Sequence, residues 1–357
     1  MRGVPTVTQV RSVREVRAVA TVAVVGAVVL ALALVASSVG ATTRAATSSD
    51  DGPTRIRIAY QRVPNGDLIV KHEGWLERAF GKDVVIDWQR FESGALVNDA
   101  VQAGTVDVGL VGSSPAARGI AAGIGYHVPW IFDVIGAAEA LVVRDGITAI
   151  AQLRGATLAT PFGSTADFSL RAVLEQAGLG PADVTLVDAG PDEILTAWQR
   201  GEIDGAYVWN PNLAQLVASG GHTLITSADL ARKGDATYDL AVVTDDFAER
   251  YPAAITTWMV QQDRAVHVLQ RHPDRAARVL AAELGITPTE AGRQASELIF
   301  VDAAAQAGRD HLGGGLARNL FAAARVNQAL GLIPSAGPER AYLRAVNASV
   351  ARVVGSR

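Results

Sequence analysis

The chain has no cysteine in 357 residues. That absence removes thiol nucleophiles, thiolate metal sites, disulfides and a lipid carried on an N-terminal cysteine. Histidine is scarce too. The six residues are scattered, His267 and His272 are five apart, and no His-x-x-x-His pair exists to hold a zinc ion. No phosphate-cradling Gly-x-x-x-x-Gly-Lys-Ser loop, no Gly-x-Ser-x-Gly elbow and no dinucleotide fingerprint occurs. Positive charge is not in excess either. The formal net charge is −4, which speaks against a nucleic-acid partner, because phosphate binding needs a basic face. These absences leave no signal for catalysis and no expected cofactor or metal.

What is present is apolar. Hydrophobic residues make up 49% of the chain and charged residues 19%, the balance of a globular protein with a sizeable core. The N-terminus is set apart. Arg2, Arg11, Arg14 and Arg17 precede an almost wholly apolar run from Ala18 to Ala36, and Val39-Gly40-Ala41 ends it with small residues. A basic stretch, an apolar stretch and a small-residue ending make up an export signal, while the run is also nearly long enough to span a bilayer. Residues 1–41 therefore read as a signal peptide or an N-terminal membrane anchor, and either delivers the remainder outside the cytoplasm. Without them the chain holds 28 basic and 35 acidic residues, a net of −7.

Residues 42–53 read as a linker. From Thr54 onward short apolar strands alternate with helical patterns, the rhythm of an α/β architecture with mostly parallel sheet. Strands are expected at 55–60, 84–88, 106–111, 128–134 and 139–143, then again at 156–160, 184–187, 205–209 and 239–244. Helices are expected at 67–80, 94–103 and 115–122, then at 165–177 and 191–200. After Asp245 the pattern turns to helices alone, over 252–270, 273–284, 288–298, 316–330 and 338–353. The expected organisation is a first lobe over 54–141, a second over 142–241 and a mostly helical return to the first over 242–357. Strands 139–143 and 239–244 would be the crossings, and a cleft would open at the carboxyl ends of the strands.

Three strand-to-helix junctions place Ser or Thr where helix N–H groups are unpaired: Ser93-Gly94, Ser113-Ser114 and Ser164-Thr165. Gly94, Gly112 and Gly163 beside them let a ligand approach the backbone. Singly these are helix caps; together they would form a receptor for a small oxyanion built from neutral donors. Glu139, Asp204 and Asp239 each open an apolar strand, where a carboxylate is costly unless partnered. They are either caps or acceptors for a ligand ammonium. Trp209 ends a strand and is either core or a wall of the cleft. Gln61 follows the first strand at cleft level and could donate hydrogen bonds.

Several segments carry a family resemblance: IAYQ at 58–61, DWQRFESGA at 87–95, GSSP at 112–115, EALVV at 139–143, PFGSTADFSL at 161–170 and AWQRGEIDGAYVWNP at 197–211. They resemble the periplasmic substrate-binding proteins of taurine uptake transporters, within the wider nitrate, sulfonate and taurine group. The resemblance implies a two-lobed type II periplasmic-binding fold with two crossing hinge strands and a helical C-terminal extension. It implies a monomeric binder, not an enzyme, that hands taurine or a related small sulfonate to an ABC permease with a cytoplasmic ATPase. The sulfonate would go to the Ser/Thr helix starts and the ammonium to Glu139, Asp204 and Asp239, with Trp209 as an aromatic wall. The segment 62–68 departs from the family pattern. Alternatives within the class are an alkanesulfonate, nitrate or a pyrimidine precursor. An anchored sensor domain is a further alternative. A desulfinase-like hydrolase of the same fold would need a cysteine that this chain lacks.

Overall fold

The computed structural model describes residues 52–357. The expected export segment and all but the end of the 42–53 linker lie outside the described residues.

Four strands open the first lobe: β1 (Arg55–Tyr60), β2 (Val85–Arg90), β3 (Val108–Gly112) and β4 (Tyr126–Ile135). Five build the second: β5 (Glu139–Val143), β6 (Thr157–Thr160), β7 (Thr185–Asp188), β8 (Gly205–Trp209) and β9 (His222–Thr226). The chain then returns to the first lobe with β10 (Thr237–Thr244) and β11 (Leu298–Ile299). The first sheet runs in the order β11-β4-β10-β3-β1-β2 and the second in the order β7-β6-β8-β5-β9. In each sheet a parallel core carries antiparallel strands on one side: β10 runs against β3 and β4, and β5 runs against β8 and β9.

The apolar runs explain the layering. All five residues of β3 and of β5 are buried, as expected of strands covered on both faces. Helix Thr165–Gln176 covers one face of the second sheet through Leu170 and Val173. Helices Pro191–Arg200 and Asn212–Ala218 cover the other through Ile194, Trp198 and Leu216. The C-terminal helices join the core of the first lobe, where Trp258, Leu280, Leu320 and Tyr342 pack with Ile58, Val111 and Trp130.

The chain crosses between sheets at residues 136–138 and again at 232–236, so β5 lies wholly in the second sheet and β10 wholly in the first. Both crossings fall a few residues before the expected boundaries at 141 and 241, because β5 is claimed from its first residue by pairing Glu139 with Trp209. Gly136 is required at the first crossing, since a Cβ there would run into the Glu297 carbonyl oxygen. Three helical expectations change. The stretch 67–80 divides into Gly66–His72 and Trp75–Phe80 around Gly74, whose φ of 60° lies in the left-handed region. The stretch 288–298 stops at Ser296, and Leu298–Ile299 pairs with β4 instead. The stretch 338–353 breaks where Val346, in extended conformation, bridges to Val128. Strand β9, over His222–Thr226, was not expected. Among the described residues no helix is long and apolar enough to cross a membrane.

Candidate functional site

Each parallel strand that points at the second lobe ends in a turn and a helix start. β1 delivers Gln61, β2 leads to Ser93 and helix Gly94–Gln102, and β3 runs into helix Ser113–Ala122. From the other side, β6 leads to Ser164 and helix Thr165–Gln176. The three helix starts meet. A Cβ on Gly94 would lie 2.8 Å from the Pro115 side chain and 3.2 Å from the Gly112 nitrogen, and one on Gly112 would lie 2.6 Å from Thr165 Cγ2. Gly163, at φ 79°, would put a Cβ 3.3 Å from that of Ala95. Only glycine permits this approach of backbone from both lobes.

A narrow cavity, partly open to solvent, lies at that meeting point. Of the residues singled out from the sequence, Gln61, Gly94, Gly112, Glu139, Ser164, Thr165, Trp209 and Asp239 line it. Apolar surface comes from Val63, Pro64, Pro115, Ile135, Ala138 and Leu298. Among the described residues no Lys, Arg or His lines it, and no cluster of three or more potential metal ligands exists.

The hydroxyls of the helix starts are largely committed to the protein. Ser93 Oγ accepts from Leu96 N–H, and Ser164 Oγ accepts from Asp167 N–H at 3.1 Å while donating to the Pro161 carbonyl at 2.6 Å. Ser93 lies outside this cavity, on the adjoining part of the cleft with Phe162 and Asp192. Ser113 Oγ accepts from Tyr238 N–H, Ser114 Oγ accepts from Asn327 Nδ2 in the C-terminal helices, and neither residue lines the cavity. What the starts leave free for a ligand is chiefly backbone. The N–H groups of Gly94, Ala95, Thr165 and Ala166 occupy the first two helical positions, where the helix supplies no partner.

Asp204 is not at the site. Its carboxylate accepts from Thr157 N–H at 2.8 Å and its carbonyl from Arg144 N–H, which ties the start of β8 to its neighbours, at the end opposite Trp209. Its role is to tie the start of β8, the central strand, to β6 and to the end of β5.

The carboxyls that do reach the site are deeply enclosed. Glu139 accepts from Thr165 Oγ1 at 2.5 Å, from Ser227 Oγ at 2.7 Å and from Ser169 Oγ at 3.5 Å. Burial pushes its pKa up, and these three hydroxyls oppose the rise. Asp239 is raised well above the ordinary carboxylate range by burial first, then by the charges of Asp133 and Glu139. Asp133 stands in β4 directly opposite Asp239 in register and is likewise raised by burial. Sequence reasoning passed over Asp133, although a carboxylate inside Trp130-Ile131-Phe132-Asp133-Val134-Ile135 is as anomalous as Glu139 in its own strand. Asn210 was also missed. It is almost wholly buried at the cavity, with Nδ2 donating to Glu297 and no partner for Oδ1.

Chemically, the cavity presents helix-start N–H groups and dipoles, which suit an anion, and two carboxyls with a third behind them, which suit a cation, beside apolar surface. The two sets adjoin, since Thr165 donates to Glu139 and Asp239 pairs with Gly112 across the strands.

Comparison with known proteins agrees with this architecture. The profile of the NMT1-like family matches residues 50–285. The taurine-binding periplasmic protein of Escherichia coli strain K12 is 36% identical over 200 residues, which cover 56% of this chain and 62% of that protein. A Bacillus subtilis strain 168 protein described as a candidate aliphatic sulfonates-binding protein is 30% identical over 258 residues, covering 71% of this chain and 76% of its own length. In structure, the alkanesulfonate-binding protein SsuA of Xanthomonas axonopodis pv. citri, solved with MOPS bound, superimposes with a TM-score of 0.67 at 22% identity, over 80% of this chain and 96% of that one. The fold is thus the two-lobed periplasmic-binding type, extended by C-terminal helices. The chain belongs to the NMT1-like family.

Proposed function

We propose that this protein is an extracytoplasmic solute-binding protein of an ABC importer, which takes taurine or a closely similar small sulfonate into the interlobe cavity and presents it to a membrane permease. The observation that carries the reading is the lining of the cavity: N–H-rich helix starts together with Glu139 and Asp239, and no lining cation among the described residues. A sulfonate stays ionised and cannot donate a proton, so a receptor of neutral donors satisfies it. An ammonium two carbons away then answers the carboxyls, which would repel an anion that lacked one. The names of the Escherichia coli and Bacillus subtilis relatives support a sulfonate ligand, and the absence of cysteine supports binding over desulfinase chemistry.

A second reading has its own support. The apolar lining by Val63, Ile135, Leu298 and Trp209 would accept an alkyl chain, and the relative matched over the longer stretch is described in terms of aliphatic sulfonates. Calorimetric titration with taurine, ethanesulfonate, sulfate and nitrate separates the two. The proposal expects micromolar or better affinity for taurine, about −8 kcal/mol, and weaker binding of ethanesulfonate. Ethanesulfonate binding as tightly as taurine would favour the alkanesulfonate reading and remove the role given to the carboxyls.

A further inference from the structure

We propose that Asp133 and Asp239 act as one proton-sharing acid beside the cavity, and that a ligand cation seated against Asp239 drives that proton out to solvent. The inference rests on the reading of the cavity as a receptor for a small zwitterion and adds to it a residue, Asp133, that touches no ligand.

The geometry is specific. Asp239 and Asp133 are register partners on antiparallel strands β10 and β4, so their side chains leave the sheet on the same face as neighbours. Asp239 faces the cavity, while Asp133 is wholly enclosed behind it. Asn65 Nδ2 donates to Asp133 Oδ2 at 3.0 Å, and no donor reaches Oδ1. Two ionised carboxylates side by side on paired strands, both buried, repel strongly, and a proton held between them removes the repulsion and gives the pair a donor. Burial raises both groups, and the Asp133 charge raises Asp239 further, while hydrogen bonds from Asn65 and Asp239 oppose the rise at Asp133.

The surroundings decide when it leaves. Glu139 of β5 is the further acidic group acting on both members of the pair, and it raises both. Asp67, from the helix behind Asn65, is held by Gln262 Nε2 and feels Lys71 instead. No positive side chain therefore competes for the pair among the described residues. With one proton the pair carries a single negative charge. An arriving ammonium offsets the repulsion within the pair, the second carboxyl ionises, and the proton passes to solvent. The balance is one cation bound and one proton released. By linkage, affinity for a cation-bearing sulfonate then rises with pH, from the ordinary carboxylate range up to the raised value of the pair. A sulfonate without an amine gains nothing from the same change.

The test is calorimetry of the full exported protein near pH 6, with taurine and with ethanesulfonate, each in two buffers of different ionisation enthalpy. Taurine should release about one proton per site, visible as a buffer-dependent heat, and ethanesulfonate none. The variant Asp133→Asn, which keeps a hydrogen bond to Asp239, should still bind taurine but with a heat independent of buffer. Taurine that outcompetes ethanesulfonate yet releases no proton would overturn the shared-proton pair and leave the zwitterion reading standing. Taurine with no advantage over ethanesulfonate would overturn the zwitterion reading itself. If Asp133→Asn fails to fold, the buffer comparison on the unmodified protein decides alone; if it folds and still releases a proton, the assignment to this pair is wrong.

Discussion

Glu139, Asp204 and Asp239 look alike in the sequence, each an acid opening an apolar strand, and the structure separates them by what donates to each. Asp204 spends its carboxylate on Thr157 N–H, whereas Glu139 and Asp239 line the cavity. Glu139→Gln and Asp239→Asn should therefore weaken taurine binding by tenfold or more, on the order of 1.4 kcal/mol or above, and affect ethanesulfonate much less. Asp204→Asn should cost about 1 kcal/mol of stability from its lost charge-assisted bond and leave the ratio of the two ligands unchanged. Parallel titrations and thermal melts of the three variants check this; equal losses for both ligands in Glu139→Gln would remove that residue from the amine site. Asp67 offers a separate residue-scale test. Burial pushes its carboxyl up to about 7 from 3.8, against the Gln262 hydrogen bond. A raised carboxyl is most favourable to the fold below its unfolded value, so its contribution is present near pH 4 and lost as the pH rises through 7. Asp67→Asn should accordingly raise the melting temperature at pH 8 and flatten the pH dependence between 4 and 8. A variant that melts lower at pH 8 would show the ionised carboxylate to be structural.

At the scale of elements, the helix starts were legible because Ser, Thr and Gly announce them, and the glycines explain how they converge. The hydroxyls were less legible. Ser113 and Ser114 share a motif with the donors but are taken by Tyr238 and by Asn327, a residue more than two hundred positions away. No local pattern could reveal such a partner. Strand β9 was missed because His222–Thr226 is short and its only wholly buried member is Ile225. The helix expected over 338–353 breaks because Val346 finds a bridge to Val128 in β4, a tertiary claim that overrides helical periodicity. Convergence itself can be tested at one position. Gly112→Ala puts a methyl 2.6 Å from Thr165 Cγ2 of the opposite lobe. Ligand affinity should drop at least tenfold, and small-angle scattering should show a wider protein with ligand present. An unchanged affinity would mean that the two starts separate when ligand is held.

For the molecule as a whole, the alternation of strand and helix gave two α/β units and a helical return, since period-two and period-3.6 patterns are strong in this chain. The points of crossing were set by pairing, which the sequence does not display: Glu139 aligns with Trp209 and draws all of β5 into the second sheet. The two lobes are in contact beyond the cavity. Arg90 of the first pairs with Asp192 of the second at 3.2 Å, and Asn210 of the second donates to Glu297 of the first at 2.6 Å. Arg90 and Asp192 are both substantially exposed, so that pair orients closure and adds little energy. The cavity lined by the helix starts and the carboxyls is what a ligand would fill, and one measurement addresses it directly. A crystal structure with taurine should show sulfonate oxygens on the N–H groups of Gly94, Ala95, Thr165 and Ala166, and the nitrogen against Glu139 and Asp239. Taurine in the reverse orientation, or lodged outside this cavity, would contradict the account.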